Sequence, residues 1–567
     1  MEKAFAFFLL TLLLLHYVMA SSAMTHTNIT TDQLALLTLK SKISSDPSHI
    51  LDESWSLTTF VCHWVRVTCD SRHQRVKSLN LSNMALTGTI PHNFGNLSFL
   101  VSLDLGSNNF YGNLPQEMAR LRRLKFLDLS FNSFSGEVPS LFGFLHQLQV
   151  LNLRNCSFTG TIPSSFSNIS TLVTLILDFN SIEGEIPKVI GSLINLRELI
   201  LRGNKLIGSI PPSLSNASRL EVLEISYNLL QGNIPEGIGN LHNMKALSIQ
   251  HNQLTGSIPF TIFNISRIEY IAFFNNSLSG NLPNDLCNRL PILKGLYLEM
   301  NKLHGHMPTS LSNCSELRIL GLSDNEFDGP IHSEIGSLTN LQELTLGSNH
   351  FAGIIPQEIG NLVNLVKLGM EINQITGSVP ISIYNISSLQ CLTLWQNNLK
   401  GSLPREIGNF TKMQILDLSN NTFTGEIPEE ISNLVELEIL ILGSNSFSGS
   451  LAIPKVISNL VELEILDLGF NSFSGSLAME IFNMSRLIKV FLSNNSLVGT
   501  IPHSISNCSK LNHLDLSHNK LTGSIPSELG YLTHLQFLNL EMNNLTSDSS
   551  LSFLTSLTNC RDLKILV

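Results

Sequence analysis

The sequence predicts an α/β repeat solenoid. Three observations carry the prediction: a motif that returns every 24 residues, a stretch of different character ahead of it, and an apolar leader at the start. The chain has 567 residues, 43% apolar and 14% charged, with 34 Lys and Arg against 44 Asp and Glu. That is too apolar for a disordered chain. The pI of 5.9 argues against a nucleic-acid binder, which carries a basic stripe and a pI above about 9.

Met1 to Ala23 reads as a secretory signal peptide. Lys3 and the α-amine make its start positive, Ala4 to Leu15 is apolar apart from Thr11, and small residues follow at Ala20, Ser21, Ser22 and Ala23. Cleavage after Ala20 or after Ala23 fits equally well. The apolar run is shorter than the roughly 20 residues a spanning helix needs, and no other stretch suits a bilayer. Secretion places the eight cysteines in an oxidising compartment. Cys62 and Cys69 are the expected pair. Cys156, Cys314 and Cys508 read as core thiols, with a bridge between Cys287 and Cys314, one repeat apart, as the alternative. No C-x-x-C or Cys/His cluster suggests a metal, and no cofactor is implied.

From Leu79 onward the pattern L-x-L-x-x-N-x-L-x-G-x-I-P recurs, as in Leu199–Pro211 and Leu514–Pro526. Its Asn falls at 24-residue steps from 84 to 276, from 301 to 445 and from 471 to 543, with Met84 and Cys156 as the two substitutions. Register slips by one residue near Arg289 and by two near Ile453. The paired leucines point inward from a short strand, because alternate strand residues face opposite sides. A buried Asn is tolerable only with its amide satisfied, so stacked Asn residues form a ladder. Gly208 and Pro211 shape the turn away from the strand, and Ile210 fills the core from the far side. One repeat cannot bury its leucines alone, so stability comes from stacking. Ile431–Ala452 and Ile457–Ala478 differ only at Ile441/Asp467 and Ser444/Phe470, the mark of a copied 26-residue unit.

Thr31 to Val76 is a cap over the open end of the stack. Asp32 to Ile43 has helical apolar spacing (Leu34, Leu37, Leu39, Ile43) with Thr31 or Asp32 as the cap residue, and Asp46-Pro47 breaks it. The expected domains are the signal peptide at 1–23, the capping domain at 24–76 and the repeat array at 77–567.

On these residues the chain resembles the extracellular part of plant leucine-rich-repeat receptor-like serine/threonine kinases. Asp32, Ala35, Leu36, Leu37, Lys40, Trp55, Cys62, Trp64, Val67 and Cys69 match that family's N-terminal cap, and L-x-G-x-I-P marks its plant-type repeat. Asn543 to Cys560 resembles a longer repeat of the subgroup that senses bacterial proteins. Arg66 stands where the family has Gly. The resemblance implies a superhelix with a concave parallel β-sheet, and a ligand on that sheet. Further repeats, a membrane helix and a kinase would follow in such a receptor. This chain holds no G-x-G-x-x-G, V-A-I-K or H-R-D motif, and it stops at Val567 inside the next repeat, which points to a truncated product.

No residue pattern suggests catalysis: the 17 histidines are scattered and none is placed beside a nucleophile. Positions six, four, two and one before each Asn are expected on or beside the exposed sheet. There Asp104, Asp128 and Arg154 precede a band of Asp178, Phe179, Arg202, Glu224, Tyr227, Tyr270, Phe274, Tyr297 and Glu299, with Trp395 later. Tyr, Trp and Arg dominate interfaces, so these are the candidate ligand contacts. The plain alternative is that the rings stack on each other across strands. Sixteen N-x-S/T sequons occur, of which Asn96, Asn168, Asn216, Asn264, Asn385 and Asn483 lie twelve residues past the ladder position and suit surface glycans. The reading is an extracellular receptor region that binds a peptide or protein, with a co-receptor kinase as partner and no nucleic acid. It would sit at the cell surface in a full-length receptor, or in the extracellular space if this chain is complete. Alternatives are a secreted inhibitor or decoy of microbial enzymes, and a non-functional fragment.

Overall fold

The computed structural model describes residues 29–450, 459–477, 479–546 and 551–567. The signal-peptide segment and the slip near Ile453 lie outside the described residues. The chain divides into two compact units, Met1–Gln231 and Gly232–Val567.

The first unit opens with helix α1, Ile29–Lys42. It begins before Asp32, so Asp32 is inside the first turn and is no cap. Its carboxylate is fully buried and accepts hydrogen bonds from Arg75 Nε (2.7 Å), Arg75 Nη2 (2.6 Å) and the Val76 amide (2.9 Å). That anchor fixes the rotation of the helix. Ala35, Leu36 and Leu39 turn inward, while Leu34, expected in the core, is 52% exposed. Ile43 leaves the helix and joins Ile43–Ser45, a strand antiparallel to Thr87–Gly88. The rings of Trp55 and Trp64 stack at 5.2 Å, with Trp55 Nε1 donating to the Val65 carbonyl. The Cys62–Cys69 disulfide closes the cap. Val67–Cys69 then pairs antiparallel with Val76–Asn80, the first L-x-L strand.

From there each unit repeats one construction. In the first, parallel strands run from Val76–Asn80 through Ser102–Asp104, Phe126–Asp128, Val150–Asn152, Thr174–Ile176 and Glu198–Ile200 to Val222–Glu224, paired residue for residue at the repeat period. In the second, parallel strands of the same kind run from Ala246–Ser248 to Ile565–Leu566. Leu103, Leu105, Leu127 and Leu129 have no exposed surface. Burying each such side chain contributes about 1.5–3 kcal/mol. Two residues past the ladder position, phenylalanines stack where neighbouring repeats both hold one: Phe110 and Phe134 at 6.1 Å, and Phe423 and Phe447 at 5.9 Å.

The Asn ladder satisfies both ends of each amide. Asn108 Nδ2 donates to the Leu81 and Leu105 carbonyls, and its Oδ1 accepts from the Met84 and Leu86 amides. At Cys156 a thiol takes the place of the amide and donates to the Leu129 carbonyl at 3.4 Å. Burial pushes that thiol up to about 11, so it stays protonated. The segment after the Asn is more than a turn. Lys205–Ile207, for example, forms a strand of a second parallel sheet with Glu183–Glu185. Gly208 follows at φ +75, where a Cβ would come within 2.9 Å of the Glu185 side chain. After Pro211 comes a short 3-10 helix, Pro212–Asn216.

Cys314 is not a core thiol. It is bonded to Cys287: Cys287 lies inside the 3-10 helix Leu286–Arg289 and Cys314 caps the C-terminal end of the next, Thr309–Asn313, with Cα atoms 5.3 Å apart. Cys508 is the buried free thiol expected, held near 12 by burial.

Candidate functional site

Position one before the ladder residue is no strand position. It takes a left-handed backbone in repeat after repeat, with φ 53 at both Phe179 and Tyr227 and 50 at Ile372. The kink lifts that side chain beside the strand end, so Phe179 and Tyr227 are 39% and 41% exposed. Asn tolerates this conformation better than other residues. That gives the sequons at Asn155, Asn275, Asn420 and Asn494 a backbone reason independent of glycan.

In the first unit the band is an alternating stack of cations and rings. Arg154 Cζ lies 5.4 Å from the ring centroids of both Phe131 and Phe179. Arg202 Cζ lies 5.6 Å from Phe179 and 4.7 Å from Tyr227. Each guanidinium carbon therefore lies over two rings at cation–π distance. Asp178 is expected exposed, but it is 2% exposed, because the two arginines and their rings close over it. Its Oδ2 lies 3.3 Å from Arg154 Nε. Burial pushes its carboxyl above the usual range, against the pull of Arg154 and Arg202. Glu224 is half-buried and accepts from the Ser226 amide and hydroxyl.

In the second unit Tyr270 is 40% exposed and Tyr297 half-buried on neighbouring strands. Both rings lie against Gly295, where a Cβ would approach Tyr297 to 2.7 Å and Tyr270 to 3.0 Å. Burial first, and then nearby carboxylates, raises the Tyr297 phenol. Phe274 meets His251 edge-on at 4.9 Å. Glu299 lies over Gly321, which has no side chain to displace it, and burial raises its carboxyl. Trp395 is half-buried several repeats further on, apart from this group.

Sequence reasoning missed one regularity. Six buried side-chain polar atoms have no hydrogen-bond partner among the described residues: Arg154 Nε, Asp178 Oδ1, Arg202 Nε, Gln250 Oε1, Glu299 Oε2 and Ser310 Oγ. All but Ser310 stand two residues before the ladder position. The motif spacing locates that column, but no pattern signals which of its members fold inward. Among the described residues no group of His, Cys, Asp and Glu is arranged to hold a metal ion.

The six glycan candidates share one place. Asn96, Asn168, Asn216, Asn264, Asn385 and Asn483 each end a 3-10 helix. Asn96 is half-buried and the other five are exposed.

The cap matches the leucine rich repeat N-terminal domain family over residues 29–70. Leucine rich repeat families match residues 74–134, 147–169, 194–254, 298–450, 461–521 and 485–545. The chain is 44% identical over 91 residues to the LRR receptor-like serine/threonine-protein kinase EFR of Arabidopsis thaliana, a stretch covering 16% of this chain and 9% of that protein. Two solved structures are similar over most of their length. The Arabidopsis receptor kinase HAESA in complex with the peptide hormone IDA and the co-receptor SERK1 is 35% identical, with a TM-score of 0.82 over 91% of this chain and 86% of that one. PEPR1 in complex with AtPEP1 is 32% identical, with a TM-score of 0.85 over 94% and 78%. This chain belongs to the leucine-rich-repeat ectodomains of plant receptor-like kinases, and it contains no kinase domain. Among the described residues no helix is long and apolar enough to cross a membrane.

Proposed function

We propose that this chain is the extracellular ligand-recognition region of such a receptor, binding a peptide or protein on the L-x-L sheet face without chemistry. The observation that carries this reading is the column two residues before the ladder, which collects five of the six buried polar atoms that lack a hydrogen-bond partner among the described residues, Arg154 Nε having only its ion pair with Asp178. A stable fold pairs such groups. A ligand that supplies the missing partners converts an unfavourable burial into binding energy. HAESA with IDA, PEPR1 with AtPEP1, and RGFR1 with RGF2 are peptide complexes of the same fold and support the ligand class. The HAESA complex with SERK1 supports a co-receptor kinase as second partner. In this reading the signal peptide at 1–23 delivers the cap and array to the cell surface, and glycans at the 3-10 helix ends leave the sheet face clear.

The test is Tyr270→Ala with Phe274→Ala in the secreted chain, measured for capture from a library of synthetic peptides. Capture is expected to fall about tenfold or more, as for paired aromatic anchors, with secreted yield unchanged. Unchanged capture removes these rings from the ligand face, and lost secretion makes them structural.

A further inference from the structure

On the 3-10 helices of the first unit, away from the L-x-L strands, one slot changes character. It is the last residue of each helix, where Asn96 and Asn168, both in N-x-S/T sequons, stand on either side of Arg120 and Phe144. No sequon falls between Asn96 and Asn155, so two successive repeats offer bare surface where their neighbours carry glycan candidates. In that window Arg120, Arg122, Arg123 and Lys125 are all exposed, in a chain of formal net charge -10. None of the four forms an ion pair or donates a side-chain hydrogen bond among the described residues.

The cations border a shaped groove. Arg120, Arg122, Gln116, Leu141 and Phe144 line a cavity of about 540 Å³, and the Phe144 side chain is 52% exposed. The one acid in that wall, Glu117, is held by His92 Nδ1 at 2.7 Å. A second cavity of about 460 Å³ shares Gln116 and Leu141 and continues over Asn113, Ser140, Thr161 and Ser164, with Glu137 as its one charged group. Met118 and Phe142, buried within the helices Gln116–Arg120 and Ser140–Phe144, fix the walls. Protein segments dock through a strand edge, a helix face or an aromatic-lined groove. Here the walls are helix ends carrying hydroxyls, amides and a single open ring. That set matches a sugar chain, whose C–H face packs on a ring and whose edges carry hydroxyls. Guanidinium forks add the recognition of a carboxylate.

We propose that this groove binds an acidic oligosaccharide, a chain of sugars bearing ring carboxylates. Phe144 stacks on the face of one sugar, Arg120 and Arg122 pair with its carboxylate, and the hydroxyls and amides of the second cavity take the edges of the next. Arg123, whose Cζ lies 3.9 Å from the Phe99 ring centroid, and Lys125 are outside both cavity walls and draw the polyanion in without fixing its register. The groove is a second site, separate from the peptide face.

The experiment titrates the full chain, secreted from a eukaryotic host, with labelled oligogalacturonate, with the same oligosaccharide fully methyl-esterified, and with oligoglutamate of equal charge. The acid sugar is expected to bind about tenfold more tightly than its ester, the worth of one charge-assisted bidentate contact. Arg120→Gln with Arg122→Gln is expected to bring that ratio to about one. Phe144→Ala is expected to weaken both sugars about threefold. Arg123→Gln with Lys125→Gln removes the same charge outside the cavities and is expected to cost no more than about twofold. A wild-type ratio near one overturns the proposal. Equal losses from the two charge pairs also overturn it, by showing diffuse attraction, and oligoglutamate bound as tightly as the acid sugar assigns the surface to an acidic protein instead. Tyr270→Ala with Phe274→Ala is expected to leave sugar binding unchanged, and a loss there moves the sugar to the sheet face and sinks the groove. Secreted yield reports folding. Should the arginine pair fail to secrete, Phe144→Ala decides, since unchanged affinity in that variant removes the groove.

Discussion

Arg66 holds φ at +68, in the region where a Cβ crowds its own carbonyl. Its carbonyl accepts from the Asn80 amide, so the turn that joins cap to first strand passes through this one strained residue. The resemblance implies Gly at this point, and the turn forms with Arg66 in its place, the strain retained. Arg66→Gly is expected to stabilise the chain by about 1 kcal/mol, read as a higher unfolding midpoint in urea, and an unchanged or lower midpoint would show that the exposed Arg66 side chain offsets the strain. The same backbone conformation one residue before the ladder is borne by residues as different as Ser107, Phe179 and Ile372. There the neighbouring repeat holds the backbone: the Phe179 amide donates to the Arg202 carbonyl at 2.8 Å. Sequence spacing put these side chains beside the sheet, but it gave no sign of the kink that exposes them.

At the scale of an element, the strands turn repetition in sequence into columns in space, and the columns accumulate charge. Asp417 pairs with Ile441, Ile441 with Asp467, Asp467 with Phe491 and Phe491 with Asp515. Burial raises the carboxyls of Asp417 and Asp467, and Asp417 and Asp515 push Asp467 further in the same direction. The folded state then binds the Asp467 proton more readily than the unfolded chain. Its contribution to stability is complete below the unfolded carboxylate range, near 3.9, and is lost as pH rises through the raised folded value. Asp467→Asn keeps an acceptor for the Gly469 amide and removes the charge. Its melting temperature should exceed that of the parent at pH 7, with the gap closing by about pH 4. A gap independent of pH would show that the gain comes from something other than ionisation. The copied repeat carries Ile441 at the equivalent place, which shows that the fold does not require the carboxylate. Helix α1 makes the complementary point. Its apolar spacing is legible, but its rotation is set by Asp32 gripping Arg75 from 43 residues away, and so Leu34 faces water.

Over the whole molecule, stability is close to a sum of repeats and their neighbouring interfaces. Asn349 illustrates the consequence. Its Nδ2 donates to the Leu322 and Leu346 carbonyls and its Oδ1 accepts from the Phe327 amide. Asn349→Ala leaves those buried groups unpaired, at a cost of about 1–3 kcal/mol. Hydrogen exchange is expected to rise in the repeats that hold Leu322 and Leu346 and to stay unchanged through the Met1–Gln231 unit. A uniform rise along the chain would mean cooperative unfolding in place of nearest-neighbour stacking.

The sequence by itself determined the repeat, its register, the inward leucines, the Asn ladder, the capping tryptophans and the Cys62–Cys69 pair. These follow from period and alternation, which are local properties of the chain. Counting along the repeat also nominated candidate residues on or beside the sheet, although Asp178, Phe179, Arg202, Phe274 and Glu299 lie just past the strands. Only the tertiary structure decided which of those residues are open. Asp178 and Glu299 occupy the same column as Trp395, but two arginines cover the first and a glycine floor lets the second lie flat. It also decided that Cys287 meets Cys314 and that the turn after each Asn becomes a second sheet. The physical reason is that residues one repeat apart are neighbours in space. What a side chain does there depends on the volume and charge of residues on adjoining strands, which no single motif contains.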